Sequence, residues 1–274
     1  MTTDGGTLEA QQLVKRFHGH AAVMDVSFTL MPGEILGYLG PNGSGKSITL
    51  KMLTGLVEPT SGKVMYSGTD VTGGSIEFRR RFGYVPEEPH LYPFLSAREY
   101  LDLVAGLRNL PVSLTRSKID ALLEQFGLED AAEQSMSAYS KGMKQKTLLI
   151  AALLHDPDVV ILDEPESGLD VGSILVLREL LRVLASRGKA ILYSSHVVEN
   201  VERLCTRAIV LAAGRVIVDG SIDAIRTVAP SGSLEEAFAA LASQHPRTVA
   251  ADIADIVTGD RKHVPERAAS RWLP

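Results

Sequence analysis

The fold of this chain is decided by Gly40-Pro41-Asn42-Gly43-Ser44-Gly45-Lys46-Ser47. This stretch fits the pattern GxxxxGK[S/T] and stands between two segments with regular apolar spacing. Glu34 to Leu39 is an apolar run typical of a buried strand, and Ile48 to Leu53 has the spacing of the first turns of a helix. Such a loop predicts a phosphate cradle, because glycines let backbone N–H groups converge on an anion and the helix N-terminus adds its positive dipole end.

The phosphate loop, residues 40–47, together with Ile48 is therefore the predicted binding site of a nucleoside triphosphate. We expect Lys46 to reach the β- and γ-phosphates and to take part in catalysis, and the Ser47 hydroxyl to bind Mg²⁺. The alternative is a glycine-rich turn that binds nothing, and the strand–loop–helix context disfavours it.

A second constellation is the apolar strand Val159 to Leu162, which ends in two carboxylates, Asp163 and Glu164. Ligands of α/β sheets bind beyond the carboxyl ends of the strands, where the phosphate loop also lies. We expect Asp163 to hold Mg²⁺ and Glu164 to polarise the attacking water. The alternative for Glu164 is an exposed carboxylate at a strand end, since Asp163 alone would suffice for the metal.

Composition excludes several classes of protein. The chain has 274 residues, 45% of them hydrophobic and 22% charged, which is typical of a globular protein with a substantial core. A net charge of −5 gives no basic footprint, so we expect no nucleic acid partner. The lone Cys205 excludes a disulfide framework. We expect neither a secretory signal nor a spanning helix, because no run of about 18 apolar residues occurs, so a membrane role requires a partner.

Along the chain, predicted strands alternate with predicted helices, which indicates an α/β fold with a largely parallel core sheet. The first strand, Leu8 to Phe17, is expected at a sheet edge because its apolar residues stand among polar neighbours. The other predicted strands are Val26–Leu30, Lys63–Tyr66, Phe82–Val85, Ala190–Tyr193 and a closing hairpin of Ile209–Leu211 with Val216–Val218. The predicted helices include Lys141–Leu154, Asp170–Arg187, Val197–Leu204 and Ser233–Leu241.

An all-helical insert begins near Pro93. One of its helices, Ser96 to Arg108, has the pattern of a capping box, and the second is predicted over Thr115 to Phe126. We expect an ATP-binding domain over about residues 7–220, with the helical subdomain inserted at about 93–140. Residues 221–274 are expected to form a C-terminal helical extension with a polar tail beyond Gln244.

The segment Tyr139-Ser140-Lys141-Gly142-Met143 is similar to the LSGGQ signature of ABC transporters and stands shortly before the Asp163 strand. From about Leu8 to Leu241 the chain resembles the nucleotide-binding subunit of such a transporter. The resemblance implies a P-loop NTPase fold of the ABC type, with a mixed core sheet, an N-terminal antiparallel β subdomain and the helical insert. It also implies that Ser140, Gly142 and Met143 bind the ATP of a second subunit, so that two subunits enclose each nucleotide.

Further site residues are carried over from the family one at a time. Phe17 matches the aromatic residue that stacks on adenine, and His196 matches the switch histidine that contacts the γ-phosphate in catalysis. Glu87 occupies the usual glutamine of the Q-loop, which ligates Mg²⁺. Lys141 replaces the first signature glycine, where a cation beside the γ-phosphate is expected to be tolerated, and Glu166 replaces a common Thr or Ser.

The resemblance therefore implies an ATPase that powers transport, as in small bacterial exporters, through a separate polytopic permease on whose cytoplasmic side it sits. The expected docking residues on the insert are apolar and exposed: Leu91, Tyr92, Phe94, Tyr100 and Leu103. The alternative is a soluble ABC ATPase acting on ribosomes or DNA, which the single cassette and single cysteine disfavour. A P-loop kinase is a third hypothesis, and it would lack the signature and the His196 strand.

Overall fold

The computed structural model describes residues 6–227 and 233–241 of the chain. Its strands are β1 (Leu8–Phe17), β2 (His20–Leu30), β3 (Ile35–Leu39), β4 (Ser61–Tyr66), β5 (Thr69–Asp70), β6 (Phe82–Val85), β7 (Val159–Asp163), β8 (Ala190–Ser195), β9 (Arg207–Ala212) and β10 (Arg215–Ser221). Its α-helices are α1 (Lys46–Leu53), α2 (Ile76–Arg79), α3 (Ala97–Leu107), α4 (Val112–Gln125), α5 (Lys141–Leu153), α6 (Val171–Ser186), α7 (Val198–Leu204), α8 (Ile222–Arg226) and α9 (Leu234–Leu241).

The larger sheet has the strand order β10-β9-β3-β8-β7-β6. Its strands are parallel except for the antiparallel β9–β10 hairpin. Every residue of β3, β7 and β8 is buried, as expected for parallel strands that are covered on both faces. The predicted parallel core sheet is confirmed. The carboxyl ends of β3, β7 and β8 therefore lie at the same edge, which is where the phosphate loop begins.

The smaller sheet is antiparallel, with the order β2-β1-β4-β5, and it corrects one prediction. Strand β1 is not at an edge, because Leu8 pairs with Leu30 of β2 on one side and with Tyr66 of β4 on the other. The polar residues along β1 reflect a half-exposed face and an irregular register rather than a free edge. At the irregularity Gln12 has a positive φ of 50° and its N–H donates to Ser27 Oγ at 2.8 Å.

Helices α3, α4 and α5 pack around a core of their own, which includes Leu101, Ile119 and Ile150. The predicted capping box of α3 is present, with Ser96 N–H donating to Glu99 Oε2 at 2.8 Å and Glu99 N–H donating to Ser96 Oγ at 3.2 Å. Helix α4 begins three residues earlier than predicted, directly after Pro111. Leu91 and Phe126 pack against both this core and the core under the parallel sheet, so they join the insert to the rest of the molecule.

The C-terminal helices α8 and α9 contribute to the core under the parallel sheet, through Ile222, Ile225, Leu234 and Ala237. The helix predicted from Ser233 is therefore present as α9, and α8 lies in the C-terminal extension that was expected to be helical, whereas the short elements β5 and α2 were not predicted from the sequence. The predicted polar tail beyond Gln244 lies outside the described residues. Within residues 6–227 and 233–241, no helix combines the length and the apolar character that crossing a bilayer requires.

Candidate functional site

The phosphate loop connects β3 to α1 in a conformation that needs its glycines. Gly43 and Gly45 have positive φ angles of 77° and 102°, which residues with a Cβ rarely adopt. A Cβ on Gly40 would lie 2.4 Å from Ser44 Oγ, and one on Gly45 would lie 2.7 Å from the carbonyl oxygen of Ala22. Helix α1 begins with no side-chain cap on its first N–H groups. The loop and the helix N-terminus therefore present the donors that an anion requires.

Lys46 is the cation of this loop. Its side chain is 7% exposed, and its Nζ donates to the carbonyl oxygen of Gly40 at 2.7 Å and to that of Pro41 at 3.4 Å. Burial lowers the pKa of Lys46, and the neighbouring carboxylates of Glu164, Asp163 and Glu87 oppose that shift. Three carboxylates from two segments of the chain thus act on one ammonium group.

A cavity of about 260 Å³ lies over the loop and brings together most of the predicted site. Its lining is Ala22, Asn42, Gly43, Gly45, Lys46, Ser47, Ile48, Glu87, Asp163 and Glu164. The three predicted Mg²⁺ ligands, Ser47, Glu87 and Asp163, are therefore neighbours, although they come from α1, the segment after β6, and β7. Ser44 is buried beneath the loop, and its Oγ has no hydrogen-bond partner among the described residues.

The residues present fit Mg²⁺. Asp163 is buried, and its Oδ1 has no hydrogen-bond partner in the part of the chain that the structure describes. A buried carboxylate oxygen without a donor favours a cation or a cation-bound water as its partner. No group of three or more His, Cys, Asp or Glu side chains that could hold a metal ion by itself occurs within the described ranges. Mg²⁺ fits such a site, because it commonly takes one or two carboxylates together with phosphate oxygens and waters.

Glu164 stands at the end of β7 in a strained backbone conformation. Its φ is +49°, which costs about 1–3 kcal/mol for a residue other than glycine. Its N–H donates to the carbonyl oxygen of Ser194 at 3.1 Å, and its Oε1 lies 2.8 Å from His196 Nδ1. Burial raises the pKa of Glu164, and the hydrogen bond and charge of His196 oppose that shift. Glu164 is thus a buried carboxylate that borders the cavity and is oriented by a histidine, which is what a general base requires.

Phe17 lies at the end of β1 and is 41% exposed, so its ring can contact a ligand. It does not belong to the lining of the cavity over the phosphate loop. The Nζ of Lys15 lies 5.1 Å from the ring centroid and covers one face. Stacking of adenine on Phe17 stays a prediction, and it requires the other face of the ring or a movement of Lys15.

The signature segment lies apart from this cavity, because Ser140, Gly142 and Met143 are absent from its lining. Ser140 is the N-cap of α5, as predicted, and its Oγ accepts from the N–H of Met143 at 3.2 Å. Gly142 packs so closely that a Cβ there would lie 2.5 Å from the carbonyl oxygen of Gly168. This chain therefore brings the signature to the segment after Glu164 rather than to its own phosphate loop.

Two residues that depart from the family pattern have partners that the sequence did not indicate. The Nζ of Lys141 donates to Ser167 Oγ at 2.6 Å. Glu166 is paired with Arg178 of α6, with Nε and Oε1 2.9 Å apart. The partners stand 26 and 12 residues away along the chain, and no motif connects them, so sequence patterns alone carried no signal for either pair.

Comparisons with known proteins identify the family of this chain. The sequence pattern of the ABC transporter family matches residues 23–167. An uncharacterized ABC transporter ATP-binding protein of Nostoc sp. is 41% identical over 199 residues, which are 72% of this chain and 59% of that protein. A Nod factor export ATP-binding protein I of Burkholderia pseudomallei is 40% identical, over 78% of this chain and 70% of that protein. The ABC transporter ATP-binding protein NatA of Bacillus subtilis is 37% identical, over 74% of this chain and 83% of that protein.

Solved structures show the same fold. A structure described as the ATP-binding subunit of an ABC transporter is 35% identical with a TM-score of 0.79, covering 85% of this chain and 98% of that one. A dimeric bacterial ABC transporter cassette is 24% identical with a TM-score of 0.73, covering 78% and 98% of the two chains. The second likeness concerns the fold alone.

Proposed function

We propose that this chain hydrolyses ATP to power export through a separate membrane permease, because it belongs to the ABC transporter family as an ATP-binding subunit. The observation that carries the proposal is the meeting of Lys46, Asp163 and Glu164 at one cavity, with Glu164 2.8 Å from His196. A cation for phosphate, a carboxylate for the metal and an oriented base are the parts that ATP hydrolysis requires.

In this proposal each group has a separate role. The phosphate loop and the start of α1 bind the phosphates through N–H groups, and Lys46 adds the positive charge. Ser47, Glu87 and Asp163 would hold Mg²⁺, which supplies charge neutralisation at the phosphate oxygens. Glu164 orients and deprotonates the attacking water, and His196 fixes the Glu164 carboxylate. The His196 side chain is 57% exposed and is not among the residues that line the cavity.

The proposal includes a second ATP-binding subunit. Ser140, Gly142 and Met143 do not line the cavity of their own chain, so they are available to a nucleotide on a partner subunit. The Ser140 side of α5 is exposed and presents the N-terminus of a 13-residue helix, which favours a negatively charged ligand. Two phosphate loops and two signatures would then enclose two ATP molecules.

The permease is proposed to dock on the helical insert. Tyr92 and Phe94 are 62% and 89% exposed, and Leu103 and Leu107 of α3 are also exposed. Leu91 and Tyr100 differ from the expectation, since both are partly buried against the core of the insert. The direction of transport rests on the relative named for Nod factor export. Through this contact the subunit would lie on the cytoplasmic side of the membrane.

The docking surface is tested by co-purification with a polytopic membrane protein in detergent. We expect Tyr92→Asp with Phe94→Asp to abolish the association while ATPase activity persists, because two charges would be buried in an apolar contact. The matched control is Leu56→Asp with Ile76→Asp, which changes two exposed apolar residues outside the insert and should leave the association intact. Normal binding by the first variant would place the docking surface elsewhere. Fractionation of the wild type with ribosomes or DNA alone would favour the soluble ABC ATPase.

A further inference from the structure

The segment directly after Glu164, residues 165–168, is held by a buried ion pair. Arg178 of α6 donates to both carboxylate oxygens of Glu166, from Nε to Oε1 at 2.9 Å and from Nη2 to Oε2 at 3.0 Å. The side chains of Arg178 and Glu166 are only 11% and 10% exposed. A bidentate contact of this kind fixes the orientation of the two side chains as well as their separation, because the guanidinium is planar and its donors form a rigid fork.

The same guanidinium also holds the segment that follows β8. Arg178 Nη2 donates to Asn200 Oδ1 of α7 at 2.8 Å, and Asn200 stands four residues after His196. Between them, the N–H of Val197 donates to Ser195 Oγ at 3.0 Å, and the N–H of Asn200 donates to the carbonyl oxygen of Val197 at 3.2 Å. One side chain therefore spans the segments that carry Glu164 and His196, whose side chains lie 2.8 Å apart.

The signature helix α5 also contacts residues 165–168. The buried Gln145 Nε2 donates to the carbonyl oxygen of Pro165 at 3.1 Å, and Lys141 Nζ donates to Ser167 Oγ at 2.6 Å. Gly142 lies against the carbonyl oxygen of Gly168. The segment after Glu164 is thus held both by the signature helix and by Arg178.

Stability alone gives a weak reason for the Arg178–Glu166 pair. Burying two charges costs desolvation free energy, and well-packed hydrophobic residues of similar size are often as stable or more stable. What apolar side chains cannot supply is a directional link from one residue to two separate segments. The three contacts of Arg178 provide that link between the segments of Glu164 and His196.

We propose that Arg178 is a positioning residue for hydrolysis, which keeps Glu164 and His196 in hydrogen-bond contact by joining Glu166 to Asn200. The inference rests on the proposed function, since it assumes that Glu164 acts on ATP. Arg178 is not among the residues that line the cavity, and it acts through its two partners.

The test compares four variants with the wild type. Arg178→Met alone leaves Glu166 as a buried unpaired charge and can fail to fold, so the main variant is Arg178→Met with Glu166→Met, which removes both charges. Arg178→Lys keeps the positive charge but loses the planar guanidinium that makes the bidentate contact. The control is Arg203→Met, which removes an exposed ion pair within α7. The fourth variant is Glu164→Gln. Each is measured for Tm, affinity for a non-hydrolysable ATP analogue, KM and kcat, and a crystal structure of the main variant gives the Glu164–His196 distance.

We expect the main variant to keep its Tm and nucleotide affinity and to lose roughly 10- to 100-fold in kcat, as small misplacements of catalytic groups do. Its Glu164–His196 contact should be lengthened or lost. Arg178→Lys should fall between it and the wild type, and Arg203→Met should match the wild type. A purely structural pair would give wild-type kcat in a main variant with wild-type Tm, and that result overturns the proposal. If Glu164→Gln turns over ATP like the wild type, Glu164 is not the base and the premise of this inference fails, whereas a wild-type protein that turns over no ATP would contradict the proposed function itself.

Discussion

Lys46 shows how burial prepares a single side chain for a charged ligand. Its ammonium group is nearly covered and donates to the carbonyl oxygens of Gly40 and Pro41, so its position is set by the loop that surrounds it. Among the residues that line the cavity it is the cation, and three carboxylates act on it. A phosphate that enters the cavity would therefore meet an already oriented positive charge.

We expect Lys46→Ala to weaken ATP binding at least about tenfold, or about 1.4 kcal/mol, because the loop loses its positive charge. Calorimetric titration of the purified variant measures the loss. Lys51→Ala is the matched control, since Lys51 lies in the last turn of the same helix and is absent from the cavity lining. Equal affinities of the Lys46 variant and the wild type would remove Lys46 from the binding site.

At this scale the sequence predicted the residues whose role depends on local motifs. The phosphate loop, Asp163 and Glu164 stand beside the strands and helices that give them their role, and the structure brings them to one cavity. Arg178 could not be predicted, because its partners Glu166 and Asn200 come close only after α6 and α7 have packed. Phe17 remains open, because its ring lies outside the cavity lining.

At the scale of elements, α5 is joined to the parallel sheet by His155, which lies two residues beyond the end of the helix at Leu153. His155 Nε2 contacts the carbonyl oxygen of Phe82 in β6 at 3.0 Å and is therefore assigned as the protonated nitrogen. Its Nδ1 is buried without a partner among the described residues. Burial lowers the pKa of His155 to about 4, and the charges of Arg108 and Lys118 add to that shift. This environment therefore favours the neutral form of the His155 imidazole ring.

We expect acid to weaken the fold through this group. The pKa of His155 in the folded chain, about 4, is below its ordinary value of 6.5. Its contribution to the free energy of unfolding is present above pH 6.5 and lost as the pH falls towards 4. Thermal unfolding should therefore show a smaller loss of Tm between pH 7 and 5 in His155→Gln than in the wild type. Each kcal/mol lost from the free energy of unfolding corresponds to a fall of roughly 2–4 °C in Tm.

The control for this prediction is His90→Gln, because the side chain of His90 is 82% exposed and has no buried nitrogen to protonate. As the pH is lowered, the Tm of this variant should fall by as much as the Tm of the wild type. If His155→Gln also follows the wild-type curve, protonation of His155 does not limit stability in acid.

Elements with strong local signals were predicted within a few residues. The capping box of Ser96 and Glu99 placed the start of α3, and the apolar run before Asp163 placed β7. The sheet-edge position predicted for β1 was wrong, because the neighbours of a strand in a sheet are set by its pairing with distant parts of the chain. The short elements β5 and α2 carry too few residues to establish a period.

At the scale of the whole molecule, the signature segment and the phosphate loop of one chain do not share a cavity. We expect them to act on the same ATP only across two subunits. Ser140→Arg and Lys46→Ala chains should each be inactive, because the first blocks the partner's site and the second loses its own phosphate contact.

Mixing these two inactive chains should restore about a quarter of wild-type turnover, since about half of the dimers would be mixed and each would keep one intact site of two. In such a dimer both defects fall in one composite site, so the other is complete. A mixture of Lys46→Ala with Lys46→Ala, Ser140→Arg chains is the control and should stay inactive. No recovery at any ratio of the first two chains would count against action across the interface.

The measurement that tests the central claim most directly is the ATP turnover of Glu164→Gln beside its ATP affinity. The substitution keeps the shape of the side chain and its place next to His196 while removing the base. We expect ATP binding to be retained, an ATP-bound dimer to accumulate, and turnover to fall by about 10²–10⁴-fold. Glu88→Gln, which changes an exposed carboxylate, should behave as the wild type. Unchanged turnover in purified Glu164→Gln would contradict the account and remove Glu164 from the mechanism.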